Sequence, residues 1–187
     1  SFFLELGVKK NNFFTDISNY LSYELGQPTH CYDADKISDK CIQLEVSNKQ
    51  TTFKTVIGKE VNLKNSNLVF KCDEEIRNLA GIMGGASTEC SQTTKKAVIE
   101  SAFFKPDSII GKSTLYDINS DASHKFERGI DRSLQEKALR RFIFLVEKHA
   151  VISKMEILKF ENSLDNKNPK LEFSAEKINK ILGTAIR

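Results

Sequence analysis

Apolar residues recur at spacings of three and four through residues 13–26, so that Phe14, Ile17, Leu21 and Leu25 fall on one face of a helix. Gly26 suits the position just past its end, and Pro28 prevents continuation. QPTHCYDADKI, next along the chain, breaks the pattern and reads as a loop. Alternation of apolar and polar residues predicts a half-buried strand over 42–46 and another over 51–57, joined by turn residues SNKQ. Further strands are expected at 67–72, within 78–85 and at 96–103, and Pro106 and Asp107 open a short helix over 106–115. The strongest helical stripe runs through 131–150, with Asp131 as N-cap and Leu134, Ala138, Phe142, Leu145 and His149 in register. Alternation returns over 151–160.

ENSLDNKNPK, residues 161–170, is polar and rich in turn formers, which predicts a linker. LEFSAEKINKILGTAIR, residues 171–187, starts afresh with a strand, Ser174 as N-cap, an Ile178/Ile181/Leu182 helix and Gly183 as stop. The order of elements predicts an α+β fold, with strands in mixed or antiparallel sheets and flanking helices, in one main domain over 1–160. Residues 171–187 read as the incomplete start of a following domain.

Composition narrows this picture only a little. The 187 residues are 40% hydrophobic and 28% charged, which is ordinary for a globular chain. A net charge of +3 permits a polyanionic partner without arguing for one. Cys31, Cys41, Cys72 and Cys90 lack metal-ligand spacing and read as reduced, mostly buried thiols, so no metal site is expected. No apolar run approaches a membrane span, and SFFLELGVKK is wrongly ordered for a signal peptide.

Four stretches carry candidate chemistry. GKST at 111–114 mimics the end of a phosphate loop, but Pro106 stands where that loop needs its first glycine. GIMGG at 81–85 reads as a bulge or tight turn, or as a close backbone approach to a ligand. Glu100 sits in AVIESAFF, and a carboxylate inside an apolar strand needs a partner: a Lys or Arg, or a polar group on a ligand. His30 lies in the expected loop with Asn19, Tyr32 and Asp33 as polar companions. INSDASHKFERGID, 118–131, is expected as a polar loop. Its charged half would anchor to the long helix through Glu127–Arg128 pairing and the Asp131 cap, while small Ala122 and Ser123 leave room for something else.

Together these stretches resemble one family. DISNYLSYELGQPTH, GQPTHCYDADKI, LAGIMGG, VIESAFFKPDSI and SDASHKFERGID are similar, in order and spacing, to the tRNA-editing domain of the bacterial phenylalanyl-tRNA synthetase beta chain. The tail resembles the start of the next beta-chain domain. The resemblance implies a cytoplasmic alpha2beta2 ligase that uses ATP and magnesium as a whole enzyme, with no cofactor in this segment. Its partners would be the alpha chain and tRNA(Phe). The domain itself would hydrolyse tyrosine misattached to that tRNA, with a non-catalytic, RNA-positioning role as the alternative. By position, His30 and Glu100 match catalytic pocket residues of the family, and Ser18, Asn19, Gly84, Gly85 and Ala122 match substrate-binding ones. The implied roles are a phenol hydrogen bond at Glu100, a water held by His30, backbone N–H groups at Gly84 and Gly85, and space at Ala122. The chain departs from the family at Ser18 for threonine, Cys31-Tyr32 for Ala-Phe, Lys125 for arginine, and across LYDIN, 115–119.

Overall fold

The protein is described by a computed structural model over residues 2–7, 9–37, 42–64, 66–160, 170 and 172–186. A short helix, α1 (Phe2–Glu5), precedes α2 (Phe13–Leu25), whose first turn is capped by the Asn12 side chain on the Thr15 N–H. Gly26 ends α2 at φ 68°, the left-handed conformation that glycine adopts without a steric cost. The stripe expected on α2 is its buried face: Ile17 and Leu21 are buried, with Phe14 and Leu25 packed beside them.

The segment expected as a loop is a strand, β1 (Thr29–Asp33), followed by a 3-10 turn at Ala34–Lys36. Its lack of local alternation hid it, because both faces of β1 are covered. Next come β2 (Gln43–Ser47), β3 (Thr52–Lys54), β4 (Glu60–Asn62), β5 (Asn67–Cys72), β6 (Glu75–Leu79) and β7 (Met83–Gly84). β8 (Ala97–Ser101) completes the strands. The sheets are a four-stranded β2-β5-β6-β7, a pair β1-β8 and a pair β3-β4, and every pairing is antiparallel. GIMGG supplies the tight turn between β6 and β7, closed by an Ile82 N–H to Leu79 carbonyl bond of 2.9 Å. The bulge in this sheet lies elsewhere, at Phe70/Lys71.

After a 3-10 turn at Pro106–Ser108 come α3 (Lys112–Tyr116), α4 (Asp121–Arg128) and α5 (Leu134–Glu147). GKST therefore spans the left-handed Gly111 and the first turn of α3. The polar stretch 118–131 is mostly helix rather than loop. Ser120 caps α4, and Ser123 returns a hydrogen bond to the Ser120 N–H, so each satisfies an orphan donor of the first turn. Asp131 does not cap α5. It accepts from the N–H and hydroxyl of Ser133 at 2.8 and 2.7 Å, a turn just ahead of the helix. The expected Glu127–Arg128 pair is replaced by an Arg128 bond to the His124 carbonyl at 3.0 Å, while Lys125 pairs with Asp121.

Two cores result. Phe53, Val69, Leu79, Ile82, Phe104, Ile109 and Phe126 belong to the first, formed by the four-stranded sheet, the β3-β4 pair and α4. Ile17, Leu21, Cys31, Cys90, Phe142 and Val146 form the second, between α2, α5 and one face of β1. On α5, Val146 takes the inward position expected of His149, which is exposed. Cys31, Cys72 and Cys90 are buried free thiols, and Cys41 lies outside the described residues.

The chain divides into two compact units, Ser1–Ile152 and Ser153–Arg187. Residues 151–160 form no strand despite their alternation, and among the described residues no strand pairs with them. The expected linker lies outside the described residues apart from Lys170. Glu172 and Phe173 are not in a strand. Ser174 caps α6 (Ala175–Leu182) at the Lys177 N–H, and Gly183 closes it at φ 65°.

Candidate functional site

The β1-β8 ladder organises the site. Residues directly opposite in an antiparallel pair point to the same face. Cys31 and Ile99 are one such pair and turn toward the α2-α5 core. His30 and Glu100 are the next pair, so both side chains emerge on the other face. Tyr32, two residues beyond His30, shares that face and packs its ring edge-on to the imidazole at 4.4 Å.

Gly84 meets this face from the four-stranded sheet. A Cβ at Gly84 would lie 2.8 Å from His30 Nε2, so only glycine permits the imidazole to sit there. Gly85 is glycine for a different reason. Its Cβ would stand 2.5 Å from the Arg77 carbonyl, to which the Gly85 N–H already donates at 2.9 Å. That donor is committed to the sheet and is not offered to a ligand. The Gly84 carbonyl accepts from Val56 at 3.0 Å, tying the β3-β4 pair to the same place.

Among the described residues, Glu100 finds neither Lys nor Arg. Its Oε2 accepts the Tyr32 hydroxyl at 2.7 Å, and Asn78 Nδ2 reaches the Tyr32 oxygen at 2.8 Å and Oε2 at 3.5 Å. Burial raises the Glu100 carboxyl to about 7, with the Tyr32 hydrogen bond opposing the rise. Burial lowers His30 to about 4, which leaves its imidazole neutral at pH 7. The His30 Nε2 is buried and has no hydrogen-bond partner. Burial, together with the nearby Glu100 charge, raises the Tyr32 phenol well above its ordinary range. The face thus holds a neutral imidazole with an orphan nitrogen beside a carboxyl group poised between its two protonation states.

Among the described residues, the other singled-out side chains make no hydrogen bond to this face, and Ser18 lies on the opposite one, beside Cys31. Ser18 on α2 donates to the Thr29 carbonyl at 2.6 Å and meets its hydroxyl at 2.7 Å, anchoring the start of β1. Asn19 is half-buried beside it. Ala122 lies in the first turn of α4, half-buried against the first core. Two hydrogen bonds place that turn: Ser120 to the Ile82 carbonyl at 2.6 Å, and Ser22 of α2 to Asp121 at 2.7 Å. The GQP turn is held by Gln27, fully buried, which donates to the Pro28 and Ala102 carbonyls and accepts from Gln135. Tyr32 and Asn78 are the contributors that local pattern did not single out as partners of Glu100. Asn78 lies 22 residues before it on a strand of another sheet.

A groove of about 540 Å³ lies elsewhere in this unit, lined by Lys49, Thr52, Phe53, Glu74, Glu75 and Ser87 among others. It contains none of the residues singled out above. Among the described residues, no cluster of three His, Cys, Asp or Glu side chains is arranged to hold a metal ion. No helix among the described residues is long and apolar enough to cross a membrane.

Comparison with known proteins shows the family of the chain. The B3/4 domain family matches residues 3–151, nearly the whole first unit. The phenylalanine–tRNA ligase beta subunit of Francisella tularensis is 33% identical over 183 residues, covering 95% of this chain and 22% of that protein. That of Neisseria gonorrhoeae is 40% identical over 140 residues, 75% of this chain and 18% of the relative. The Rickettsia felis beta subunit is 32% identical over 204 residues, 95% and 25% respectively. The chain thus spans a quarter or less of the length of these curated relatives. It belongs to the B3/4 domain family, in the form carried by phenylalanine–tRNA ligase beta subunits.

Proposed function

We propose that this domain hydrolyses tyrosyl-tRNA(Phe), clearing tyrosine misattached by the ligase that carries it. The observation that supports this is the His30–Glu100 pair on one face of β1-β8, with Gly84 against the imidazole. Phenylalanine and tyrosine differ by one hydroxyl, which a hydrophobic synthetic site excludes only weakly, so a second site that reads the hydroxyl is needed. Glu100 accepts the substrate phenol. A phenylalanyl ring leaves that acceptor unmatched, at a cost of about 1–3 kcal/mol. The neutral His30 holds and polarises the attacking water. An aminoacyl ester is already activated, so positioning a water supplies much of the rate without a Ser or Cys nucleophile. In this reading Ala122 on α4 and Asn19 on α2 border the space for the aminoacyl group, Gly84 shapes its floor, and Ser18 contributes by anchoring the start of β1.

The whole enzyme in this reading is a cytoplasmic alpha2beta2 ligase that joins phenylalanine to tRNA(Phe) with ATP and magnesium. The alpha chain and tRNA(Phe) are its partners. Deacylation of tyrosyl-tRNA(Phe) and phenylalanyl-tRNA(Phe) by the complete synthetase is the test, with Glu100→Ala and His30→Ala beside the wild type. Preferential tyrosyl hydrolysis that both substitutions reduce supports the reading. Absence of tyrosyl hydrolysis in the wild type would leave a structural, RNA-positioning domain.

A further inference from the structure

We propose that Tyr32 and Asn78 are positioning residues for Glu100: they occupy its Oε2 and thereby present Oε1 to the phenol hydroxyl of the bound aminoacyl group. The inference rests on the editing reading above and adds the device by which one carboxylate oxygen is kept for the ligand.

The direction of each bond follows from donor chemistry. An amide NH₂ only donates and an ionised carboxylate only accepts. Asn78 Nδ2 faces both the Tyr32 oxygen and Glu100 Oε2, so the amide nitrogen belongs on that side. The Tyr32 oxygen accepts from Asn78, which directs its single proton to Glu100. Both donors converge on Oε2. Among the described residues, no hydrogen bond is made to Oε1.

Tyr32 can do this because it is fixed. It is 1% exposed, its ring packs edge-on against both His30 and Phe70, and its backbone bridges Glu89. A carboxylate accepting from a rigid buried donor keeps one rotamer, whereas an unpaired one in the same surroundings takes a proton and can turn donor. The ionisable groups against Glu100 are His30 and Tyr32 across the ladder, with the Cys31 thiol on the opposite face of β1. His30 is neutral at pH 7, so Tyr32 is the group that favours the ionised carboxylate.

The experiment is Tyr32→Phe in the complete synthetase. The ratio of tyrosyl- to phenylalanyl-tRNA(Phe) hydrolysis is measured from pH 5.5 to 8.5, with spontaneous ester loss subtracted and melting temperature recorded. Removing the hydroxyl is expected to lower the ratio about tenfold, the scale of one hydrogen bond to a charged group. The midpoint of its pH dependence should move upward by about one unit. An unchanged ratio and midpoint in an enzyme whose wild type edits would overturn the positioning role and leave the editing reading intact. A raised ratio would also overturn it, because Tyr32 would then be competing with the ligand. If the wild type does not hydrolyse the tyrosyl ester, the editing reading fails and the positioning role for a phenol falls with it. Direct titration of the Glu100 carboxyl by ¹³C NMR or infrared difference then tests the contact itself, and an identical midpoint with and without the Tyr32 hydroxyl would show that it does not hold the carboxylate.

Discussion

His30 and Glu100 stand directly opposite each other in the β1-β8 ladder, and burial moves their titrations in opposite directions, past one another. The histidine falls from its ordinary value of 6.5 to about 4. The carboxyl rises from 4.5 to about 7. Between these limits both groups are predominantly uncharged in the folded protein, which is how the fold tolerates them on one enclosed face.

That relationship predicts a compensated pH dependence of stability. A buried neutral histidine makes the unfolded state bind more protons between pH 4 and 6.5, so its contribution falls as pH falls through that window. Glu100 makes the folded state bind more protons between pH 4.5 and 7, so its contribution falls as pH rises through that window. The two slopes oppose each other in the wild type. Glu100→Gln should expose the histidine slope, with stability rising by ~3 kcal/mol from pH 4 to 6.5, and His30→Asn should expose the opposite slope from pH 4.5 to 7. Urea unfolding at half-unit pH steps checks this. Parallel pH profiles for the three proteins would show that the pair is not buried as described.

Discrimination should depend on Glu100 more than turnover does. Glu100→Ala is expected to reduce the preference for the tyrosyl over the phenylalanyl ester about 5- to 100-fold, because only the phenol hydrogen bond distinguishes the two. Parallel deacylation of both esters at one enzyme concentration checks it. Full preference in a folded variant would make Glu100 a structural partner of Tyr32 alone.

Gly84→Ala should fail sterically at the imidazole. The added methyl would sit 2.8 Å from His30 Nε2, so the ring must move. A loss of about 1–3 kcal/mol in stability is expected, with a displaced His30 and impaired hydrolysis. Combining it with His30→Gly should recover most of the stability but not the hydrolysis. Thermal unfolding of the single and double variants checks the coupling.

Ala122→Trp separates space from core. Ala122 is half-buried in the first turn of α4, so a bulky side chain there can project away from the core. We expect a fall in melting temperature of only a few degrees, with tyrosyl hydrolysis lost. Retained hydrolysis would put Ala122 outside the ligand space. A collapse of the melting temperature would make it a core residue.

Ser120→Ala tests the anchoring of that same turn. Ser120 caps α4 and also donates to the Ile82 carbonyl two residues before Gly84. Loss of both bonds should cost about 1–2 kcal/mol, or roughly 2–8 °C in melting temperature. Calorimetry of the variant checks this.

Local pattern alone determined the α2 face, the Ser174-capped helix, the strands near 67–72 and 96–103, and the α+β class. Those elements depend on periodicity, caps and turn residues, which are properties of neighbours in sequence. It also marked Glu100 as a carboxylate needing a partner, and GIMGG as a bulge or tight turn, or else a close backbone approach to a ligand. Its errors share one cause. Local pattern places His30 in a loop because β1 acquires its hydrogen bonds from β8, nearly seventy residues away, and is covered on both faces. The 118–131 stretch reads as a loop in sequence because its helix rests on a Ser120–Ser123 box and on Phe126 inserted against Phe104, not on an apolar stripe. Residues 151–160 alternate like a strand, yet a strand exists only where a second one supplies its ladder. The partner of Glu100 was likewise undecided until the fold brought β1 and β6 to the same carboxylate. Tyr32 and Asn78 have no sequence proximity to it, and burial, not spacing, made their two donors the groups that satisfy it.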